Sequence, residues 1–169
     1  YFGKNASPTI KKTRYVNDYT NSKLIGFYEI NDSLLDKVDE QKFHGMISSK
    51  LEKYDIVIEI DYGHGLISKK SQALIRQKSK FLAANSQINS FNARFHDLSY
   101  YMDLDLLCIN ESELYSHYRA RATSIEDLML CLKVELNCTN LITTMGSKGS
   151  IGLGVDGRFV ECPSYAENV

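Results

Sequence analysis

Four short segments of this 169-residue chain carry residue types that could do chemistry, and each lies where an apolar run stops. They are Asp61-Tyr62-Gly63-His64-Gly65, Asn85-Ser86-Gln87, Asn110-Glu111-Ser112-Glu113 and Thr143-Thr144-Met145-Gly146-Ser147-Lys148-Gly149. Together they offer amide and hydroxyl donors, glycines that allow close backbone approach, and carboxylates able to hold a hard cation through water. That set suits phosphate and magnesium. A plain structural reading stands beside each. Asn110 followed by Glu113 is a helix N-cap with its N3 partner. Asp61 caps a turn, Gly146 and Gly149 shape one, and Lys148 is a solvated loop lysine.

The elements that must position these segments follow from periodicity. Residues 9–30 are rich in Thr, Tyr, Ile and Val with a polar break at Asn17 to Ser22, which predicts a hairpin carrying Lys12 and Arg14. Asn31 and Asp32 offer an N-cap for a helix whose apolar positions run Leu34, Leu35, Val38, Phe43, Met46, Ile47 and Leu51. Asp55 to Asp61 then reads as a strand, with Glu59 out of character, and Ser68 to Lys80 as a helix. Phe81 to Ala84 is a strand, Arg94 to Tyr101 helical, and Asp105 to Ile109 a strand. Two helices follow, Glu111 to Tyr118 and Ser124 to Leu136, then a strand from Asn140 to Thr144. Ser150 to Glu161, with Gly152, Gly154 and Gly157, closes as an antiparallel hairpin. Strands alternating with helices predict an α/β fold with a mostly parallel sheet covered on both faces, a single domain over 1–169 with its core at 32–169. Ligands of such sheets sit beyond the carboxyl ends of the strands, which is where the four segments lie.

Composition narrows the function classes. With 20 basic and 21 acidic side chains and 43% hydrophobic residues, the chain is neither disordered nor built to neutralise a phosphate backbone, so nucleic acid is not an expected partner. No apolar run approaches the roughly 20 residues of a membrane helix, so no membrane is expected either. Cys108, Cys131, Cys138 and Cys162 form no C-x-x-C pair, which predicts reduced thiols in a cytoplasmic protein rather than a zinc site. The Gly152-x-Gly154-x-x-Gly157 spacing matches a dinucleotide fingerprint only formally, because it lies in a hairpin rather than a strand–turn–helix. The chain opens at Tyr1 without a methionine and stops at Val169 in mid-pattern, which reads as a fragment.

Asn110-x-x-Glu113 after LDLLCI, followed by ITTMGSKG, resembles the ribokinase-like, or PfkB, carbohydrate kinases. Within that family the chain is most similar to the sugar kinase domain of the heptose 7-phosphate kinase and ADP-heptose synthase type. The likeness runs from TRYV at 13–16 through DYGHG at 61–65 to NSQINSFNARFH at 85–96. The resemblance implies a three-layer α/β/α fold with a hairpin lid, and an ATP- and magnesium-dependent transfer of the γ-phosphoryl group to a sugar or sugar-phosphate hydroxyl. It implies that Asn110, Thr144, Gly146 and Gly149 meet ATP phosphates and that Glu113 organises Mg2+ through water. Arg14, Asp61, Gly63 and Gly65 would lie near the acceptor, and the hairpin would join two copies in a homodimer. Asn85 departs from the aspartate many members carry, and His64 stands where relatives often have another polar or basic residue. The family's catalytic aspartate, in a G-A-G-D motif at a helix N-terminus, is expected beyond Val169, so the fragment alone is expected to be inactive. A non-catalytic scaffold attached to a nucleotidyltransferase is the competing expectation.

Overall fold

β-Branched and aromatic residues build the first pair of elements. In the computed structural model, which describes residues 2–4, 7–88, 92 and 98–165, β1 (Lys11–Val16) pairs antiparallel with β2 (Lys23–Glu29) as a two-stranded sheet of its own. The Asn17 side chain closes the connection by accepting from the backbone N–H groups of Tyr19 and Thr20 at 2.9 and 3.1 Å. An amide that mimics a backbone acceptor is a common turn former.

The remaining strands form one six-stranded sheet. β3 (Val57–Asp61), β4 (Leu82–Ser86), β5 (Leu106–Asn110) and β6 (Asn140–Thr144) run parallel in that order. β7 (Ser150–Leu153) and β8 (Phe159–Cys162) then add antiparallel neighbours. Helix α1 (Lys37–Leu51) precedes β3, α2 (Lys69–Lys78) joins β3 to β4, and α3 (Glu111–Tyr118) and α4 (Ile125–Glu135) join β5 to β6. Among the described residues between β4 and β5 lies a 3₁₀ turn, Leu98–Tyr100. Gly154 to Gly157 turn the closing hairpin, so the formal dinucleotide spacing has no helix to serve.

The parallel strands alternate strictly. Leu82, Ala84, Leu107, Ile109, Leu141, Ile151 and Leu153 are almost fully buried on one face and pack in one cluster with Ile75 of α2, Leu114 of α3 and Leu128, Met129 and Leu132 of α4. Partly buried Ile47 and Leu51 of α1 join the same cluster. Among the described residues all four helices share one side. The other side keeps Ile58 and Ile60 66% and 61% exposed, with Ala83, Leu106, Cys108 and Ile142 only half-buried among the described residues.

Two boundaries also move. α1 starts at Lys37, not after Asn31–Asp32, because Asp36 supplies the cap: its carboxylate accepts from Asp39 N at 2.8 Å. Asn31 instead accepts from Ser33 N, and Asp32 is engaged by His64, leaving Leu34 exposed ahead of the helix. β4 runs on through Asn85 and Ser86 because its ladder with β3 continues to the pair Asp61–Ser86. The helix expected over Arg94 to Tyr101 lies partly outside the described residues, at 94–97, and its described part contains the 3₁₀ turn Leu98–Tyr100.

Candidate functional site

The sheet order brings the four segments side by side along one rim, at the carboxyl ends of β3, β4, β5 and β6. The tightest juxtaposition is between β5 and β6. Asn110 and Thr144 are register partners, and the Asn110 Nδ2 donates to the Thr144 carbonyl oxygen at 3.2 Å. Asn110 is at the same time the cap of α3: its Oδ1 accepts from Ser112 N at 2.9 Å, and its own N–H donates to Glu113 Oε2 at 2.8 Å, closing a reciprocal capping box. Thr144 and Gly146 face solvent. Gly146 has φ +57° and a Cβ there would meet nothing within 4 Å, so the backbone at this turn borders open space. Gly149 differs: with φ +96° its missing Cβ makes room for the Cys162 carbonyl and the Ser164 amide, a packing role for a residue expected to shape the turn. Lys148 Nζ lies 3.9 Å from Glu111 Oε2 and is otherwise well exposed.

Glu113 is buried, and both its oxygens are engaged. Oε1 accepts from Ile88 N at 3.1 Å while Oε2 takes Asn110 N, so the side chain pins the segment after β4 to the start of α3. Burial pushes its carboxyl above the usual carboxylate range, against the opposing pull of the two N–H donors. A carboxylate so placed has only its remaining lone pairs to offer a hydrated magnesium ion. Among the described residues no group of three or more His, Cys, Asp or Glu converges on a metal position.

On the acceptor side the expectations divide. Asp61 is buried, and its carboxylate turns inward: Oδ1 accepts from Gly63 N at 2.8 Å and Oδ2 from the Tyr101 hydroxyl at 2.6 Å. Burial first, and then the neighbouring Asp61 charge, hold the Tyr101 hydroxyl far above the usual phenol range. Asp61 is thus the anchor of its own turn, while Gly63 and Gly65, at φ +66° and +77°, give the turn its left-handed bends. Two cavities flank it. One of about 530 Å³ is bordered by Gly63, Gly65, Ile67, Lys69 and Tyr100, and one of about 380 Å³ by Lys4, Asn31, Tyr62 and His64. Arg14 is exposed on β1, and Lys12 Nζ sits 5.1 Å from the centroid of the Tyr62 ring, carrying the hairpin to the strand-end turn. Asn85 donates to the Cys108 carbonyl at 2.9 Å, a sheet-stabilising bond that needs no charge at that position.

Three contributors escape a reading of spacing. Tyr101 reaches Asp61 from forty residues away. Asn92, fully buried, donates to the carbonyls of Tyr62 and Gln87 at 3.1 and 2.6 Å and so ties two rim segments together. Glu59 is buried with neither carboxylate oxygen hydrogen-bonded among the described residues, and burial together with the Asp61 charge pushes its carboxyl up to about 8. Its charged type inside an apolar run was the available signal.

Solved structures with this fold are numerous. The chain superposes on ribokinase from Giardia lamblia with a TM-score of 0.67 at 17% identity, covering 97% of this chain and 51% of that one. The fold is ribokinase-like. Ribokinase from Thermotoga maritima matches with a TM-score of 0.65 at 17% identity over 94% of this chain and 49% of that one. A PfkB protein from Polaromonas matches with 0.66 at 10% identity over 95% and 55%. By sequence, the bifunctional protein HldE of Rhodopseudomonas palustris is 22% identical over 167 residues, 97% of this chain and 34% of that protein. The chain therefore spans about a third of the curated relatives it matches and about half of the structural ones. No protein-family model matches it. Among the described residues no helix is long and apolar enough to cross a membrane.

Proposed function

We propose that this chain is the central part of an ATP-dependent carbohydrate kinase that transfers the γ-phosphoryl group to a hydroxyl of a sugar or sugar phosphate of the heptose-phosphate kind, in the cytoplasm. The observation that carries the reading is the pairing of Asn110 with Thr144 at adjacent strand ends, beside a solvent-facing Gly146 turn with open space over its backbone. Asn110, Thr144, Gly146 and Gly149 form the phosphate side of the site. Glu113 holds that side in place and is available to magnesium through water. Bound magnesium would neutralise charge on the phosphates; the chain's own part is to orient them, through the Asn110 amide and the backbone N–H groups of the Gly146 turn. The acceptor would lie toward Gly63, Gly65 and the hairpin with Arg14, and the hairpin would be completed by a second copy of the chain.

The inward carboxylates of Glu113 and Asp61 favour one other reading, a kinase-like scaffold in which the strand ends are stapled but idle. A coupled ADP-release assay on the full-length protein with a panel of sugars and sugar phosphates separates the two. Asn110→Ala is expected to lower turnover at least tenfold while shifting thermal stability by only about 1 kcal/mol, the cost of a helix cap. Unchanged turnover in that variant would hand the site to the scaffold reading.

A further inference from the structure

The turn Asp61 to Gly65 directs its carboxylate inward, and its outward side meets the linker that joins β2 to α1. His64 Nδ1 lies 3.0 Å from Asp32 Oδ1, with the two side chains only 11% and 21% exposed. Gly65 lies directly under the same linker, where a Cβ would collide with the backbone carbonyl oxygens of Asp32 and Ser33. From the opposite side Lys4 Nζ donates to the Asn31 carbonyl at 2.9 Å and to the Ser33 carbonyl. The Tyr62 ring stacks on His64 at 6.4 Å and 11° while receiving Lys12 of the hairpin on its face. Below, Asn92 holds the Tyr62 carbonyl and Tyr101 holds Asp61, so the turn itself is stiff.

The hairpin shares no ladder with the main sheet, and a lone two-stranded ribbon is marginal in water. Its placement against the 61–65 turn, where Lys12 meets Tyr62, must come from contacts at its linker and base. We propose that the 61–65 turn is the seat that fixes the hairpin, and that His64 is its positioning residue, acting through Asp32. The required chemistry is specific. A carboxylate accepts, so His64 serves by donating from Nδ1, whereas its Nε2 is buried with no hydrogen-bond partner among the described residues. Asparagine places an amide donor where Nδ1 stands; glutamine places it nearer Nε2. The seat rests on the kinase reading only for what the hairpin covers.

Hydrogen–deuterium exchange on the protein tests the seat without any activity. Peptides spanning 23–36 are expected to exchange at least tenfold faster in His64→Ala and in Asp32→Ala, and no faster again in the double variant. His64→Asn should exchange like the parent and His64→Gln like His64→Ala, with peptides from β4 to β6 unchanged throughout. Parent-like exchange at 23–36 in both alanine variants, or additive effects in the double variant, would overturn the proposal. If His64→Ala loosens the core as well, Asp32→Ala, which leaves the ring stacked on Tyr62, decides by the same comparison. In the full-length protein the same variants should raise KM for the acceptor and leave KM for ATP unchanged. Altered exchange in a protein without kinase activity would sink the kinase reading and leave the seat standing.

Discussion

Glu59 shows how a single residue sets a condition on the whole protein. Its carboxyl, pushed up to about 8 from an ordinary value of 4.5, stays protonated in the folded chain where the unfolded chain has already released its proton. The sign follows: this contribution to stability is complete below about pH 4.5 and is lost progressively as pH rises through 8. Thermal melts should therefore fall from pH 5 to pH 9 by an amount on the order of 4 kcal/mol. Glu59→Gln keeps the shape, removes the titration, and should melt higher than the parent at pH 8 with a flatter profile. A parent whose melting point is constant over that range would show that the buried carboxyl finds a partner or water. At Glu113 the reverse expectation holds for substitution. Replacing its buried carboxylate by alanine strands the Ile88 and Asn110 N–H groups and should cost about 2 kcal/mol, whatever the protein's activity.

At the scale of elements, the hairpin and β3 expose apolar residues for different reasons. Tyr15, Val16, Leu24, Ile25, Phe27 and Tyr28 are all between 43% and 67% exposed on a ribbon with no partner sheet, more apolar surface than a solvated hairpin carries. A second copy packed there should appear as a dimer by light scattering, and Leu24→Ser with Phe27→Ser should return it to a monomer. A clean monomer of the unsubstituted chain at high micromolar concentration would contradict this. β3 is an edge strand with the composition of an interior one: Val57, Ile58 and Ile60 form a run suited to burial on both sides, and two of the three face solvent. Ile58→Thr with Ile60→Thr should leave the stability of the 169-residue chain within about 0.5 kcal/mol and reduce its binding of hydrophobic dyes. A large loss of stability would mean that the open face is covered.

For the molecule as a whole, the relation to longer ribokinase-like chains bears on affinity. The contacts proposed for the rim toward a nucleotide are neutral or water-mediated hydrogen bonds, each worth on the order of 1 kcal/mol. A handful of these supports binding near the 4 kcal/mol, or millimolar, scale. Calorimetric titration of the 169-residue chain with ATP and magnesium should find affinity no tighter than that, and no phosphorylation of added sugar. Submicromolar binding would show that the rim described here is already a full site.

Much of the architecture was legible before any coordinates, because its causes are local. The spans of α3 and β6, the cap at Asn110, and the four polar segments at apolar run ends all follow from signals within a few residues of one another. The start of α1 was misread because Asn31, Asp32 and Asp36 are all competent caps, and the choice fell to His64, which claims Asp32 from across the fold. For Asp61 the turn-cap and ligand readings stand level in the sequence, because nothing nearby in the chain announces Tyr101. The one-sided helix cover was equally invisible, since a strand such as Val57–Asp61 reads as apolar whether or not both its faces are filled. Periodicity and capping act through neighbours along the backbone, so composition and spacing settle which elements form and where the polar residues fall among them. Which carboxylates face inward, and what the hairpin rests on, depend on side chains that meet only after the sheet has assembled.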